Sequence, residues 1–325
     1  MDGKKNLRDW RRMADSPLGH TLLIANPIFK SNPAAHSGKG AAGAEFARRF
    51  LGSYTSVTDG YEVRLTAGPG EATSIAEGAR NFDTVLVLGG DGVIHETVCG
   101  LMARHASERP QLGVIPLGSG NDYARTLGMV RNDVEGALAQ LVRGTAGPVD
   151  VGRVNGTYFA ETLSFGLDAA IALDTTTRRA ADTSQEGEAL FVTSGLKILS
   201  QAKQGFSCTA RFDGGEPRRL TPHVFAFQVG PSYGGGFLIC PDADPADGML
   251  DICFNTRKPS LPHLMALFGL ARKGRHVRSS IIETLRVRHA ELEFDAAPPC
   301  QVDGEPLEGR SFSIDLLPSA LTVIR

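Results

Sequence analysis

Three stretches of the chain are apolar without alternation: Thr21-Leu-Leu-Ile-Ala25, Thr84-Val-Leu-Val-Leu88 and Gln111-Leu-Gly-Val-Ile115. Strands covered on both faces read this way, as in a parallel sheet. Between them lie one short alternating run, Tyr61–Thr66, and stretches with helical spacing. The first stripe is Ala41, Ala44, Phe46, Ala47 and Phe50, the second is Ala72, Ile75, Ala76 and Ala79, and the third runs from Val93 to about His105. The order β-α-β-α-β-α-β-α predicts a parallel α/β sheet with helices on both faces. Ligands in such sheets sit beyond the carboxyl ends of the strands, where Asn26, Thr66, Asp91 and Asn121 fall.

Near Gly147-Pro-Val-Asp150 the pattern changes. Short alternating runs at 149–154, 157–163, 207–213, 222–229, 249–254, 285–294 and 311–324 predict an antiparallel β-rich sandwich. The chain therefore divides into residues 1–150, with 1–20 as an N-terminal extension, and residues 151–325, with 311–325 able to pack back on the first domain. Leu7, Trp10 and Met13 predict a short docked helix in the extension. Residues 174–188 predict a polar mobile loop before a helix at 189–202, and residues 261–284 a mostly helical stretch carrying Arg272, Lys273, Arg275 and Arg278.

Composition narrows the class. A length of 325 residues, 42% apolar and 22% charged content, and a net charge of −2 fit two globular domains. They do not fit a disordered chain or a polybasic nucleic-acid binder. Five scattered cysteines, none in a C-x-x-C pair, argue for reduced thiols and a cytoplasmic setting. The polar N-terminus has no signal-like apolar core, and no run approaches 18 apolar residues, so lipid would be met only from the membrane surface.

The chemistry gathers at glycine-rich strand ends. Gly89-Gly90-Asp91-Gly92 lets a tight turn present its N–H groups beside a helix start, a place for phosphate. Asp91 makes sense there if a cation lies between acid and phosphate; alone, the turn could also bind nothing. Pro116-Leu-Gly118-Ser119-Gly120-Asn121-Asp122 is a second such turn. Ser37-Gly38-Lys39-Gly40 is another candidate cradle, without Walker spacing. Asp244 and Asp247 could share a hard cation with a backbone carbonyl, and Asp303-Gly-Glu305 puts a carboxylate pair on a hairpin turn. Either could also be an ordinary turn.

Together these residues resemble the diacylglycerol kinase catalytic-domain family of lipid kinases, from about Leu22 to Val323. The likeness rests on Asn26-Pro27, Gly89–Gly92 with Glu96, Pro116–Asp122 with Arg125, Val149-Asp150-Val-Gly152, Gly234-Gly-Gly236 with Pro241, Asp247-Gly248 and Asp303-Gly-Glu305. The resemblance implies an NAD kinase/phosphofructokinase-like α/β domain and a β-rich lipid domain with ATP in the cleft between them. It implies ATP and Mg2+ as cofactors, and transfer of the γ-phosphoryl group to the hydroxyl of diacylglycerol or a sphingoid-type lipid. ATP would meet Asn26, Ser37, Gly38, Thr66, Gly89, Gly90, Asp91, Gly92, Glu96, Gly118, Ser119, Asn121 and Asp122. Asp91, Asp122 and Asp150 resemble an acidic network leading to magnesium on Asp244, Asp247 and the carbonyl of Met249. Asp303 matches the general base, with Glu305 and Asp91 beside it. Val93 stands where the family has Thr, and His95 where it has Asn; the loop before Ser37 is longer than usual. The implied partners are ATP and a membrane lipid, met peripherally at the inner face of the membrane, with no nucleic acid; a homodimer is left open. An NAD kinase-like small-molecule kinase and a catalytically weak nucleotide- or lipid-binding regulator are the rivals.

Overall fold

The computed structural model describes residues 17–27, 39–53, 56–180, 187–200 and 205–325. Ser37, Gly38 and the expected helix around Trp10 lie outside the described residues. In chain order the strands are β1 (Thr21–Ala25), β2 (Tyr61–Leu65), β3 (Thr84–Gly89), β4 (Gln111–Pro116), β5 (Ala146–Val154), β6 (Thr157–Phe159), β7 (Thr162–Gly166), β8 (Cys208–Phe212), β9 (Arg218–Leu220), β10 (Val224–Gln228), β11 (Ser232–Tyr233), β12 (Phe237–Leu238), β13 (Leu250–Asn255), β14 (Ile282–Val287), β15 (His289–Phe294), β16 (Cys300–Val302), β17 (Glu305–Pro306) and β18 (Ser311–Ile324). The helices are α1 (Lys39–Ser53), α2 (Glu71–Glu77), α3 (Asp91–Met102), α4 (Asp122–Thr126), α5 (Val134–Arg143), α6 (Leu167–Ala180), α7 (Gly187–Ser200) and α8 (Leu261–Ala271).

The first half forms the expected α/β layer, with β2-β1-β3-β4 parallel. Every residue of β1 and β3 is buried, which is why those runs carry no polar alternation. The edge strand β2 instead exposes Glu62 and Arg64, charges that discourage pairing with another chain. The sheet continues past β4. The C-terminal strand β18 lies parallel to β4 at Val323↔Leu112, then antiparallel to β5 and β15, with β8 and β9 beyond. A second, antiparallel sheet runs β14-β13-β10-β7-β16-β17. Phenylalanines fill the space between the two sheets; Phe165 on β7 lies 4.8 Å from Phe312 on β18 and 5.3 Å from Phe294 on β15, ring centre to ring centre. Burial of such side chains is worth roughly 1.5–3 kcal/mol each and is the main force closing the sandwich.

The structure corrects several boundaries. Residues 174–180 are helix rather than loop: Thr175 and Thr177 turn their hydroxyls back onto the carbonyls of Ile171 and Leu173, and Asp174 pairs with Lys197 on α7. The helix expected to 284 ends at Ala271, because Gly274 takes a left-handed φ of 64°, a short 3-10 turn follows, and Ile282–Val287 pairs with β13. The run 285–294 is two strands in different sheets. Asp213 accepts the N–H groups of Arg288 and His289 at that corner. The run 157–163 is broken at Ala160-Glu161, whose N–H groups bond to a side chain and not to a neighbouring strand.

Candidate active site

The strand ends of the α/β layer converge as expected. Asn26, Thr66, Gly90, Asp91, Gly92, Gly118 and Ser119 line one cleft, with Thr176 of α6 and Glu305 of β17 contributing to its wall. The two glycine turns touch backbone to backbone: a β-carbon on Gly118 would sit 2.5 Å from the Cα of Gly90. Glycine is required there by close approach. Asp91 ties the turns together, its Oδ1 accepting the Asp122 N–H at 2.8 Å. The free N–H end of α3 begins at Asp91, so the cleft floor offers donors and a positive dipole end to an anion. Asn121 takes a left-handed φ of 53° and donates its amide to the Gly118 carbonyl at 2.8 Å, fixing the second turn.

Several expected ligand residues are occupied with positioning the cleft. Glu96 accepts the N–H groups of Gly70 and Ala72, at 2.9 and 3.2 Å, and so anchors the start of α2. Gly89 packs under the helix, where a β-carbon would meet Val93. Asp122 is buried and accepts the Gly235 N–H at 2.8 Å, linking the second glycine turn to Gly234-Gly-Gly236. Burial, and then the charge of Asp91, push its carboxyl up to about 7 against Gly235 and Arg125. Asp150 stands apart from the cleft: its two oxygens accept the N–H groups of Gly248 and Ser319, both at 2.7 Å.

The expected magnesium trio does not fit a metal site as arranged. Asp247 pairs with the Arg286 guanidinium and accepts the Met249 N–H at 3.0 Å, while Asp244 accepts the Ala246 N–H at 3.0 Å. Arg286 also approaches Asp251 at 3.8 Å, so a guanidinium supplies the positive charge among these acids. Among the described residues no cluster of three or more His, Cys, Asp or Glu side chains could hold a metal ion.

The hairpin carboxylates separate by role. Asp303 and Gly304 both take positive φ, 47° and 95°, a turn that directs Asp303 inward and leaves Glu305 on the cleft wall. The Asp303 carboxylate is enclosed. Oδ2 accepts the Ala160 N–H at 2.7 Å and contacts His95 Nδ1 at 2.9 Å; Oδ1 accepts Glu161 and Thr162 N–H at 3.1 and 2.8 Å. These four contacts engage both oxygens, so in this arrangement Asp303, which also lines the chamber, holds the hairpin in place. His95, also buried, is subject to a desolvation that disfavours its charge. Asp303 and Cys99 outweigh this and push it up to about 11.

Two residues with no sequence signal complete the site. Glu161 is buried with Oε1 on the Thr126 hydroxyl at 2.6 Å, and burial, with Asp122, Asp303 and Asp91 nearby, pushes its carboxyl well above the usual range. Asp168 opens α6 and accepts the Tyr233 hydroxyl at 2.9 Å; burial pushes it up to about 7 against that hydrogen bond. Nothing in their local sequence distinguishes them from surface acids. A chamber lined by Asp91, His95, Glu161, Asp303 and Tyr233 adjoins the cleft. Beyond it, past Phe191 and Tyr233, lies an apolar cavity lined by Ile171, Leu199, Phe237, Leu264, Leu267 and Phe268.

Comparison with known proteins covers almost the whole chain. Residues 24–154 match the diacylglycerol kinase catalytic domain, and residues 161–325 the YegS C-terminal NAD kinase beta sandwich-like domain. The chain is 30% identical to the "Probable lipid kinase YegS-like" of Yersinia pestis (strain Pestoides F), over 93% of this chain and 95% of that one. It is 30% identical to the "Diacylglycerol kinase" of Bacillus subtilis (strain 168), over 76% and 80%. In fold it is similar to a diacylglycerol kinase from Bacillus anthracis str. Sterne (TM-score 0.65, 21% identity, 94% and 96% covered). It is similar also to an NAD kinase from Archaeoglobus fulgidus in complex with ATP (TM-score 0.53, 13% identity, 95% and 94% covered).

Proposed function

The chain belongs to the diacylglycerol kinase catalytic-domain family, a family of phosphotransferases, and we propose that it moves the γ-phosphoryl group of ATP to a hydroxyl of diacylglycerol or a sphingoid-type lipid. The observation that carries this reading is the adjacency of three spaces. A donor-lined cleft and an acidic chamber share Asp91, His95, Gly120 and Thr176 in their walls, and the chamber and an apolar cavity share Phe191 and Tyr233. A nucleotide, a hydroxyl and hydrocarbon chains each find a matching environment in that order.

The triphosphate lies on the backbone of Gly90–Gly92 and Gly118–Gly120, at the start of α3. Asp91, in the wall of the cleft, is the carboxylate that would hold magnesium chelated by ATP, which would supply neutralisation of phosphate charge. Glu305 follows Gly304, which lines the chamber, and stands on the cleft wall where Thr176 borders both spaces; there it takes the proton of the acceptor hydroxyl presented at the mouth of the chamber. The hydroxyl oxygen forms its bond to the γ-phosphorus as the bond to the β–γ bridging oxygen breaks, releasing ADP. Phosphoryl transfer is largely positioning and charge neutralisation, and the base contributes about 10²–10⁴-fold. Asp303 and His95 fix the hairpin that carries Glu305.

The acceptor enters from a membrane surface. No helix among the described residues is long and apolar enough to cross a membrane. Around the apolar cavity, α7 and α8 expose Leu196, Leu261 and Leu270, and Arg272, Lys273 and Arg275 follow α8. That combination of apolar and basic side chains suits peripheral contact with anionic lipid. The reading is tested with γ-labelled ATP and mixed micelles of diacylglycerol or sphingosine, against NAD as a rival acceptor. Label in extracted lipid is expected; label in NADP, or in no acceptor, refutes it.

A further inference from the structure

The acidic chamber holds acceptor atoms that lack donors. Glu161 and Tyr123 stand in its wall, 4% and 3% exposed, and neither Glu161 Oε2 nor the Tyr123 hydroxyl has a hydrogen-bond partner among the described residues. Buried polar atoms are nearly always paired, so unpaired ones in a cavity wall point to a guest that pairs them. Asp91, Asp122 and Asp303 share the wall, and among the described residues that line it there is no Lys or Arg. We propose that the chamber selects an acceptor lipid with a protonated primary amine beside its hydroxyl, as in a sphingoid base, and that the ammonium pairs with Glu161. The assignment rests on the lipid kinase function proposed above and narrows its acceptor from two lipid classes to one.

The other acids of the wall are engaged. Asp303 holds His95 and three backbone N–H groups, Asp91 accepts the Asp122 N–H, and Asp122 accepts the Gly235 N–H with Arg125 3.6 Å away. Glu161 has the Thr126 hydroxyl on Oε1 and no cation among the described residues. Burial pushes its carboxyl well above the usual range against that hydrogen bond, and Asp122, Asp303 and Asp91 add to the push; an adjacent cation reverses it. Among the described residues no three His, Cys, Asp or Glu side chains could hold a metal ion, so the cation that fits brings its own hydrogen-bond donors. An ammonium has three donors and no acceptor, which matches Glu161 Oε2 and the Tyr123 oxygen. Position agrees with this. The chamber lies between the cleft and the apolar cavity, sharing Thr176 with one and Phe191 with the other, and the amine of a sphingoid base lies between its terminal hydroxyl and its hydrocarbon chain. Diacylglycerol puts ester oxygens there, which neither donate a hydrogen bond nor bring charge.

The test uses the full chain with γ-labelled ATP and neutral-detergent micelles that carry sphinganine, its desamino analogue or diacylglycerol at equal mole fraction. Losing a hydrogen bond to a charged group costs about 10- to 100-fold. Wild type should therefore show a kcat/KM for sphinganine at least about 10-fold above that for either uncharged lipid. Equal values, or a preference for diacylglycerol, overturn the proposal and leave the lipid kinase function standing; label in no lipid overturns both. Glu161→Gln, checked for folding by its thermal melt, keeps an oxygen for Thr126 and removes the charge. Its ratio of sphinganine to desamino analogue should fall at least about 10-fold, and an unchanged ratio in the folded variant overturns the proposal. A wild-type melting temperature that rises with Mg2+, and does not in Glu161→Gln, would give the chamber to a divalent cation and overturn the ammonium assignment.

Discussion

Replacing Asp303 by Ala would distinguish the role read from its hydrogen bonds from the role of a base. The substitution strips acceptors from three backbone N–H groups and from the buried imidazole of His95. A buried donor left without a partner costs about 1–3 kcal/mol, and breaking a buried charged pair about 3–5 kcal/mol. His95 can relieve part of this by losing its proton, so the expected loss is at least about 3 kcal/mol. The pH dependence has a definite sign. A histidine raised from 6.5 to about 11 contributes stability that is complete below pH 6.5 and is lost as pH rises through 11. At about 1.36 kcal/mol per pH unit this amounts to no more than about 6 kcal/mol. The assay is urea unfolding followed by circular dichroism at pH 6.5 and pH 10, for wild type, Asp303→Ala and Glu305→Gln. The difference between wild type and Asp303→Ala should shrink at pH 10. Glu305→Gln, at an exposed position, should unfold like wild type while turnover falls at least about 100-fold. An Asp303→Ala chain within about 1 kcal/mol of wild type, or a Glu305→Gln enzyme at full turnover, would refute the reasoning.

Asp168 is raised from 3.8 to about 7 by burial, so its contribution is complete in acid and is lost as pH rises through 7. Asp168→Asn should accordingly gain stability over wild type at pH 8 and not at pH 4 in thermal melts. Changing Arg272, Lys273 and Arg275 to Ala should weaken binding to anionic vesicles by up to about 3 kcal/mol, roughly 100-fold, at about 1 kcal/mol per basic residue; cosedimentation in low and high salt measures it. Arg286 stands among Asp247 and Asp251 where a metal was expected, so Arg286→Met should acquire a melting temperature that rises with added Mg2+, and wild type should not.

Local pattern determined the α/β half. β1 and β3 are apolar because both faces are covered, and the turns after β3 and β4 carry glycine because they meet backbone to backbone, so fold and chemistry are written in the same few residues. The β-rich half was legible as strands but not as sheets. Whether Arg288 continues a strand or turns into another sheet depends on Asp213, 75 residues earlier, which no periodicity can report. The site shows the same division. Asp91 and Gly118 are placed by their own turns, whereas the roles of Asp303, Glu305 and Glu161 follow from what surrounds each carboxyl. Asp303 and Glu305 are two residues apart on one hairpin. One is engaged by backbone N–H groups from residues 160–162 and by His95, and the other faces the cleft. Sequence sets which acids are present; hydrogen bonding and burial in the folded chain decide which of them can take a proton, because both are properties of neighbours brought from far along the chain.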